Sequence, residues 1–333
     1  MKLFAPVIEV SNGKYNIVVN PAVECLGVAY ALGEFGFNKV RTNRNYVEIV
    51  QEKFKEYKDH EFVQYIRYVV DETETYFTDS QPIEMALDVM ENKKPSKEFL
   101  YNCGATMQIF NDFKRLFIKF VKDINFNEFF NEMSGYYIDI INQYINDLKK
   151  YVPSEFLFDF LGLKSKNLNI LLMLGVATAN YGLKRGNKLY CCVRPYHQTR
   201  KQGMVDYFYN KSYSASLILH EFAHSFINPL SKKYRKEVMK IDKEKFKEAL
   251  ENNAYGEHYE TVINETIIRT IECLYIKKYI NKDYETFKQG YIDDGFIFIP
   301  ELEVLYEDYL NNRDKYKTIK NFYPKIIDFF KNV

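Results

Sequence analysis

The stretch Ser214–Ile227, SASLILHEFAHSFI, sets the strongest condition on how this chain can fold. Leu217, Ile218, Leu219, Phe222, Ala223, Phe226 and Ile227 make a helix here apolar nearly all round, and such a helix is buried. Within it stand His220, Glu221 and His224, the pattern HExxH. Buried ionisable groups are costly without partners, and a metal ion supplies one. Residues four apart on a helix differ by about 40° in direction, so both imidazoles project from one side, one turn apart. They can take two corners of a zinc tetrahedron. Glu221, about 100° further round, can reach a water on the metal and act as its general base. Ser212 or Ser214 is the expected N-cap, and Asn228-Pro229 the expected stop.

A catalytic zinc site takes three protein ligands and leaves a fourth position open. A metzincin would carry glycine and histidine three and six residues after His224; Ile227 and Leu230 stand there instead. The helix expected over 257–281 offers another solution. Glu265 lies among Val262, Ile263, Ile267, Ile268 and Ile271, and a carboxylate on such a face needs a cation. Glu265 is therefore the expected third ligand, with Glu257, Glu260 and Glu272 as runners-up. The competing reading is a buried Glu265–Arg269 ion pair. A developing oxyanion also needs a donor, for which His258 and Tyr255 are the candidates. His60 and His197 have no partner spacing and read as surface or hydrogen-bonded histidines.

His220-Glu221-x-x-His224 followed by Asn264-Glu265 resembles the gluzincin metallopeptidases, and the Asn-Glu pair is similar to the thermolysin-type motif. Together with Pro21-Ala22-Val23-Glu24-Cys25-Leu26, HEFAHSFINP and NETIIR, it also resembles an uncharacterised bacterial family of HExxH proteins. The resemblance implies peptide hydrolysis at zinc. It also implies a sheet-edge strand that pairs with extended substrate, a role that would fall to Met204–Tyr209. One departure stands out: thermolysin-like enzymes have an aspartate four residues after the ligand glutamate, orienting a histidine. Here that place holds Arg269, which either pairs with Glu265 or binds a substrate carbonyl or carboxylate. The residues that orient His220 and His224 are left unassigned.

The rest of the chain frames this centre. Asn12-Gly13 between apolar runs predicts a hairpin, and Pro21 opens a helix over 21–33. Helical spacing recurs over 43–58, 61–70, 82–91, 105–122, 125–150 and 153–161. Strands are expected at 167–176, 188–194 and 204–209, and helices at 214–227, 231–239, 242–252, 257–281 and 297–311, with a tail to about 330. The expected fold is α+β and mostly helical, gluzincin-like. Residues 1–161 form an N-terminal hairpin and helical region, 162–230 a lobe with the sheet and the HExxH helix, and 231–333 a helical lobe that supplies Glu265.

Composition narrows the function. With 46 Lys and Arg against 45 Asp and Glu, there is no global field to attract nucleic acid. The longest apolar run, Ile170–Ala177, is far too short to span a membrane, and no leader is evident, so a cytoplasmic protein is expected; a secreted one with its leader removed would read the same. Five cysteines without a CxxC suggest plain buried thiols. With 29 tyrosines, 27 phenylalanines and no tryptophan, flat rings must build much of the core. The function expected is zinc-dependent hydrolysis of a peptide or protein substrate. The alternative is a helical metal-binding protein with no hydrolytic role.

Overall fold

In the computed structural model, which describes residues 2–34, 44–69, 80–164, 166–176, 180–194, 211–253, 258–282 and 284–333, helices dominate and a small mixed sheet supplements them. Strands β1 (Ile8–Ser11) and β2 (Tyr15–Val19) form the expected hairpin. Gly13 at its turn takes φ +85°, open to glycine and strained for other residues, and Ile8 faces Val19 across the pair. Nine helices follow among the described residues. They are α1 (Pro21–Gly33), α2 (Arg44–Phe54), α3 (Glu61–Arg67), α4 (Gln81–Met90), α5 (Lys97–Asn102), α6 (Met107–Asp123), α7 (Phe126–Glu132), α8 (Ser134–Tyr151) and α9 (Pro153–Leu161). Then come β3 (Leu168–Leu172), β4 (Tyr181–Arg185) and β5 (Lys188–Val193). The chain ends with α10 (Lys211–Lys233), α11 (Arg235–Val238), α12 (Lys247–Asn252), α13 (Tyr259–Tyr279), α14 (Tyr284–Asp293), α15 (Ile299–Asn311) and α16 (Ile319–Asn332). The described strands lie in the order β1-β2-β3-β5-β4. Among the described residues, no helix is long and apolar enough to cross a membrane.

The chain divides into two compact units. One comprises Met1–Asn146, Asn169–Tyr181 and Cys191–Tyr209; the other comprises Asp147–Leu168, Gly182–Tyr190 and Asn210–Val333. In the first, rings build the core as the composition requires: Phe62 lies 5.4, 5.0 and 5.4 Å, between ring centroids, from Phe113, Phe117 and Phe120. His60 caps α3 by accepting the Phe62 amide on Nδ1, and its Nε2 bonds Asp123 at 3.1 Å, so it is a hydrogen-bonded histidine. All five cysteines are buried and none forms a disulfide.

Helix α1 starts where Pro21 places it, because Asn20 caps the Ala22 and Val23 amides and proline needs no amide partner there. Its Glu24 is fully buried and accepts the Leu174 amide at 3.0 Å. Burial pushes the Glu24 carboxyl up to about 7, against the opposing hydrogen bonds from the Leu174 amide and the Tyr46 hydroxyl. A carboxyl raised on folding contributes stability that is complete below its unfolded pKa near 4.5 and is lost as pH rises through about 7. Glu24→Gln should therefore be more stable than wild type at pH 8, by on the order of 3 kcal/mol in unfolding free energy, and equal to it near pH 4. Parallel melting curves of the two proteins across pH 4–8 would contradict this.

Three expectations need correction. Ser212 and Ser214 do not cap the HExxH helix, because α10 already begins at Lys211. Pro229 does not stop it; the helix runs four residues further, losing one amide bond at the proline while its flanking turns stay paired. The helix expected over 125–150 is two, α7 and α8, broken near Met133. The expected strand Met204–Tyr209 lies outside the described residues, as do His197, Tyr255 and Glu257.

Candidate metal centre

The centre lies within the second unit, on two helices packed side by side, α10 and α13. Helix α10 buries Ile218, Leu219, Phe222, Ala223 and Ile227, and Phe158 of α9 meets Phe226 edge-on at 5.7 Å. Helix α13 buries Val262, Ile263, Ile267, Ile268 and Ile271. Apolar packing thus sets the rotation of both helices, and that rotation turns three polar side chains toward one another. His220, His224 and Glu265 form a group able to hold a metal ion, their ligand atoms all within 4.8 Å of one another.

The separations test that fit. A tetrahedral ion with bonds of about 2.0–2.1 Å sets its ligand atoms roughly 3.3 Å apart. His220 Nε2 and His224 Nε2 are 3.2 Å apart. Glu265 Oε1 is 3.2 Å from His224 Nε2, and Glu265 Oε2 is 3.4 Å from His220 Nε2. Two imidazoles and a carboxylate are donors that zinc accepts, though other divalent transition metals accept them too.

Both histidines are oriented by their other nitrogen. His220 Nδ1 lies 3.0 Å from Glu272 Oε2, and His224 Nδ1 lies 3.3 Å from Asn228 Oδ1. With the Nδ1 of each ring turned to an oxygen, both Nε2 atoms face the group. Glu272, a runner-up for ligand, is thus the carboxylate that orients His220. It sits seven residues after Glu265, two turns along the same face of α13. Asn228 was read as part of the helix stop; its place four residues after His224 is the signal that could have identified it.

The electrostatics are those of a coupled ionic cluster. Burial resists charge on Glu265, yet His220 and His224 hold its carboxyl well below the usual range. Burial works against a charge on His220, but Glu265 and Glu272 outweigh it and lift the imidazole up to about 10. In the absence of a metal a proton on His220 serves as the cation, and a metal held there would replace it. Arg269 adds a second cation, its Nε 3.3 Å from Glu265 Oε2. The ion pair weighed against the ligand role thus exists alongside it.

Glu221 is buried on α10. Burial pushes its carboxyl up, the Glu265 and Glu272 charges add to this, and His220 and His224 oppose it. Strand β4 passes close by. A Cβ at Gly182 would stand 2.2 Å from the Glu221 carbonyl oxygen, so only glycine lets the strand approach the helix here. Gly182→Ala is expected to cost about 1–3 kcal/mol in denaturant unfolding, since backbone must move to admit the methyl. Wild-type stability would show that the contact is loose. Neither β4 nor Gly182 was read from the sequence: two cations and a glycine in YGLKR hide the strand pattern.

His258 is exposed and precedes the first turn of α13, about 10 Å of helix axis from Glu265. Glu260, another runner-up, pairs with Arg235 at 3.1 Å. No curated protein and no solved structure matches the chain. A family described as a domain of unknown function, DUF4932, matches residues 18–329, and the chain, its HExxH helix and Glu265 included, belongs to that family.

Proposed function

We propose that this protein is a gluzincin-like, zinc-dependent hydrolase of peptide bonds. The observation that carries the reading is the spacing of His220 Nε2, His224 Nε2 and Glu265, at 3.2–3.4 Å, with buried Glu221 on the same helix as the two histidines. Three ligands is the number that catalytic zinc sites use, whereas structural sites close the tetrahedron with a fourth protein group. A metal held there would supply a Lewis acid that polarises the scissile carbonyl and acidifies a water.

The chain's own residues supply the rest. Glu221 takes a proton from the attacking water on a carboxylate oxygen and returns it to the departing amine nitrogen. Burial raises its affinity for protons, which favours taking one up. Glu272 and Asn228 keep both Nε2 lone pairs turned to the centre. Arg269 holds one oxygen of Glu265. His258 and Tyr255 are the donors nominated for the developing oxyanion. β4, which lies at one edge of the described strands and close against the Glu221 backbone, would offer backbone groups for an extended peptide to pair with.

The test is chelation and reconstitution. Protein purified without chelators should cleave an unbiased quenched-fluorescent peptide library, lose that activity on chelation, and regain it with one equivalent of zinc. Zinc bound in full with no cleavage of any peptide would favour the non-hydrolytic metal protein instead.

A further inference from the structure

We infer that Tyr291 is a positioning residue for the metal centre, bracing His220 and Glu265 at once from a single side chain; this rests on the metal-site reading above. Tyr291 lies on α14, and two chains of contact leave it. Its hydroxyl donates to Glu272 Oε2 at 2.9 Å, the same oxygen that faces His220 Nδ1 at 3.0 Å. Its ring carries the Arg269 guanidinium 4.6 Å from the ring centroid, and Phe296 stacks on that guanidinium at 4.5 Å. Arg269 in turn stands 3.3 Å from Glu265 Oε2.

Each chain removes a freedom that the centre cannot tolerate. Glu272 is buried at 2% exposure, and a carboxylate there needs every donor it can find. With the tyrosine hydroxyl and the imidazole N–H converging on one oxygen, the carboxylate cannot rotate without breaking a buried hydrogen bond. The His220 ring plane is held with it. A guanidinium is flat, so stacking on rings fixes its plane as well as its position. Arg269 can then neither swing onto both Glu265 oxygens nor withdraw, and Glu265 keeps Oε1 directed to His224. A phenylalanine would fill the same space and keep the stacking, but it would release Glu272.

The experiment uses the full chain with zinc and cobalt(II) as probes. Zinc affinity is read by competition with a chromogenic chelator, ligand geometry from the cobalt spectrum, and fold from melting of the metal-free protein. Tyr291→Phe is expected to weaken zinc about tenfold, and Tyr291→Leu about 100-fold as Arg269 loses its platform, with the metal-free proteins still folded and melting cooperatively. Tyr291→Phe should cost nothing further in a Glu272→Ala background, because the hydroxyl acts through that carboxylate. Wild-type zinc affinity in both single variants would overturn the bracing role and leave the metal site standing. So would a lowered melting temperature with unchanged affinity, or losses that simply add in the double variant. A wild-type chain that binds neither zinc nor cobalt would overturn both readings together.

Discussion

Glu221→Gln is expected to lower peptide hydrolysis by about 10²–10⁴-fold while the protein still binds zinc as wild type does. The side chain keeps its size and loses only the ability to take up and return a proton. Glu221 is not among the three grouped ligands, so the metal should be unaffected. It is also buried among charges that perturb its own ionisation, as an acid–base group in a cleft would be. Zinc content by elemental analysis beside single-turnover cleavage separates the two effects. Unchanged cleavage with full zinc would remove Glu221 from the mechanism. Loss of zinc along with activity would make it a ligand instead.

Glu265→Gln should weaken zinc binding by about two to three orders of magnitude. Four-ligand zinc sites reach about 10–16 kcal/mol, or roughly 2.5–4 kcal/mol for each ligand. The glutamine retains the volume but offers no charge to the ion, to His220 or to Arg269. Glu260→Gln on the same helix is the control. It leads only to an exposed pair with Arg235, so its zinc affinity should stay at the wild-type value. Competition titration with a calibrated chelator reads both. Equal affinities in the two variants would show that the carboxylate on α13 holds no metal.

The grouping of His220, His224 and Glu265 was legible because these residues obey helical spacing. His220 and His224 share a face, and Glu265 stood out as a charge inside a run of isoleucines. Spacing alone does not distinguish a ligand from the residue that orients it. Glu265 and Glu272 lie two turns apart on the same face of α13, and only coordinates show that Glu265 meets both Nε2 atoms while Glu272 meets Nδ1. Asn228 reads as punctuation because Pro229 follows it, yet α10 absorbs the proline and the asparagine faces His224 Nδ1. The bounds of α1 and α9 follow the sequence closely, since Pro21 and Pro153 start them at positions where proline costs no hydrogen bond. Strand β4 and helix α14 escaped for the opposite reason. Gly182, Lys184 and Arg185 dilute the strand signal, and α14 holds its apolar face with Tyr284, Phe287 and Tyr291 interrupted by lysine, glutamine and Gly290. Gly182 beside Glu221 and Tyr291 beside Glu272 are therefore tertiary facts, set by which helix and strand meet.

The central claim is that one divalent ion sits among His220, His224 and Glu265. Crystals of protein loaded with one equivalent of zinc, measured on either side of the zinc absorption edge, test it most directly. The account predicts a single anomalous peak about 2.0–2.2 Å from His220 Nε2, His224 Nε2 and a Glu265 oxygen. A fully loaded crystal whose zinc lies elsewhere, with His220 still donating a proton to Glu265, would contradict it.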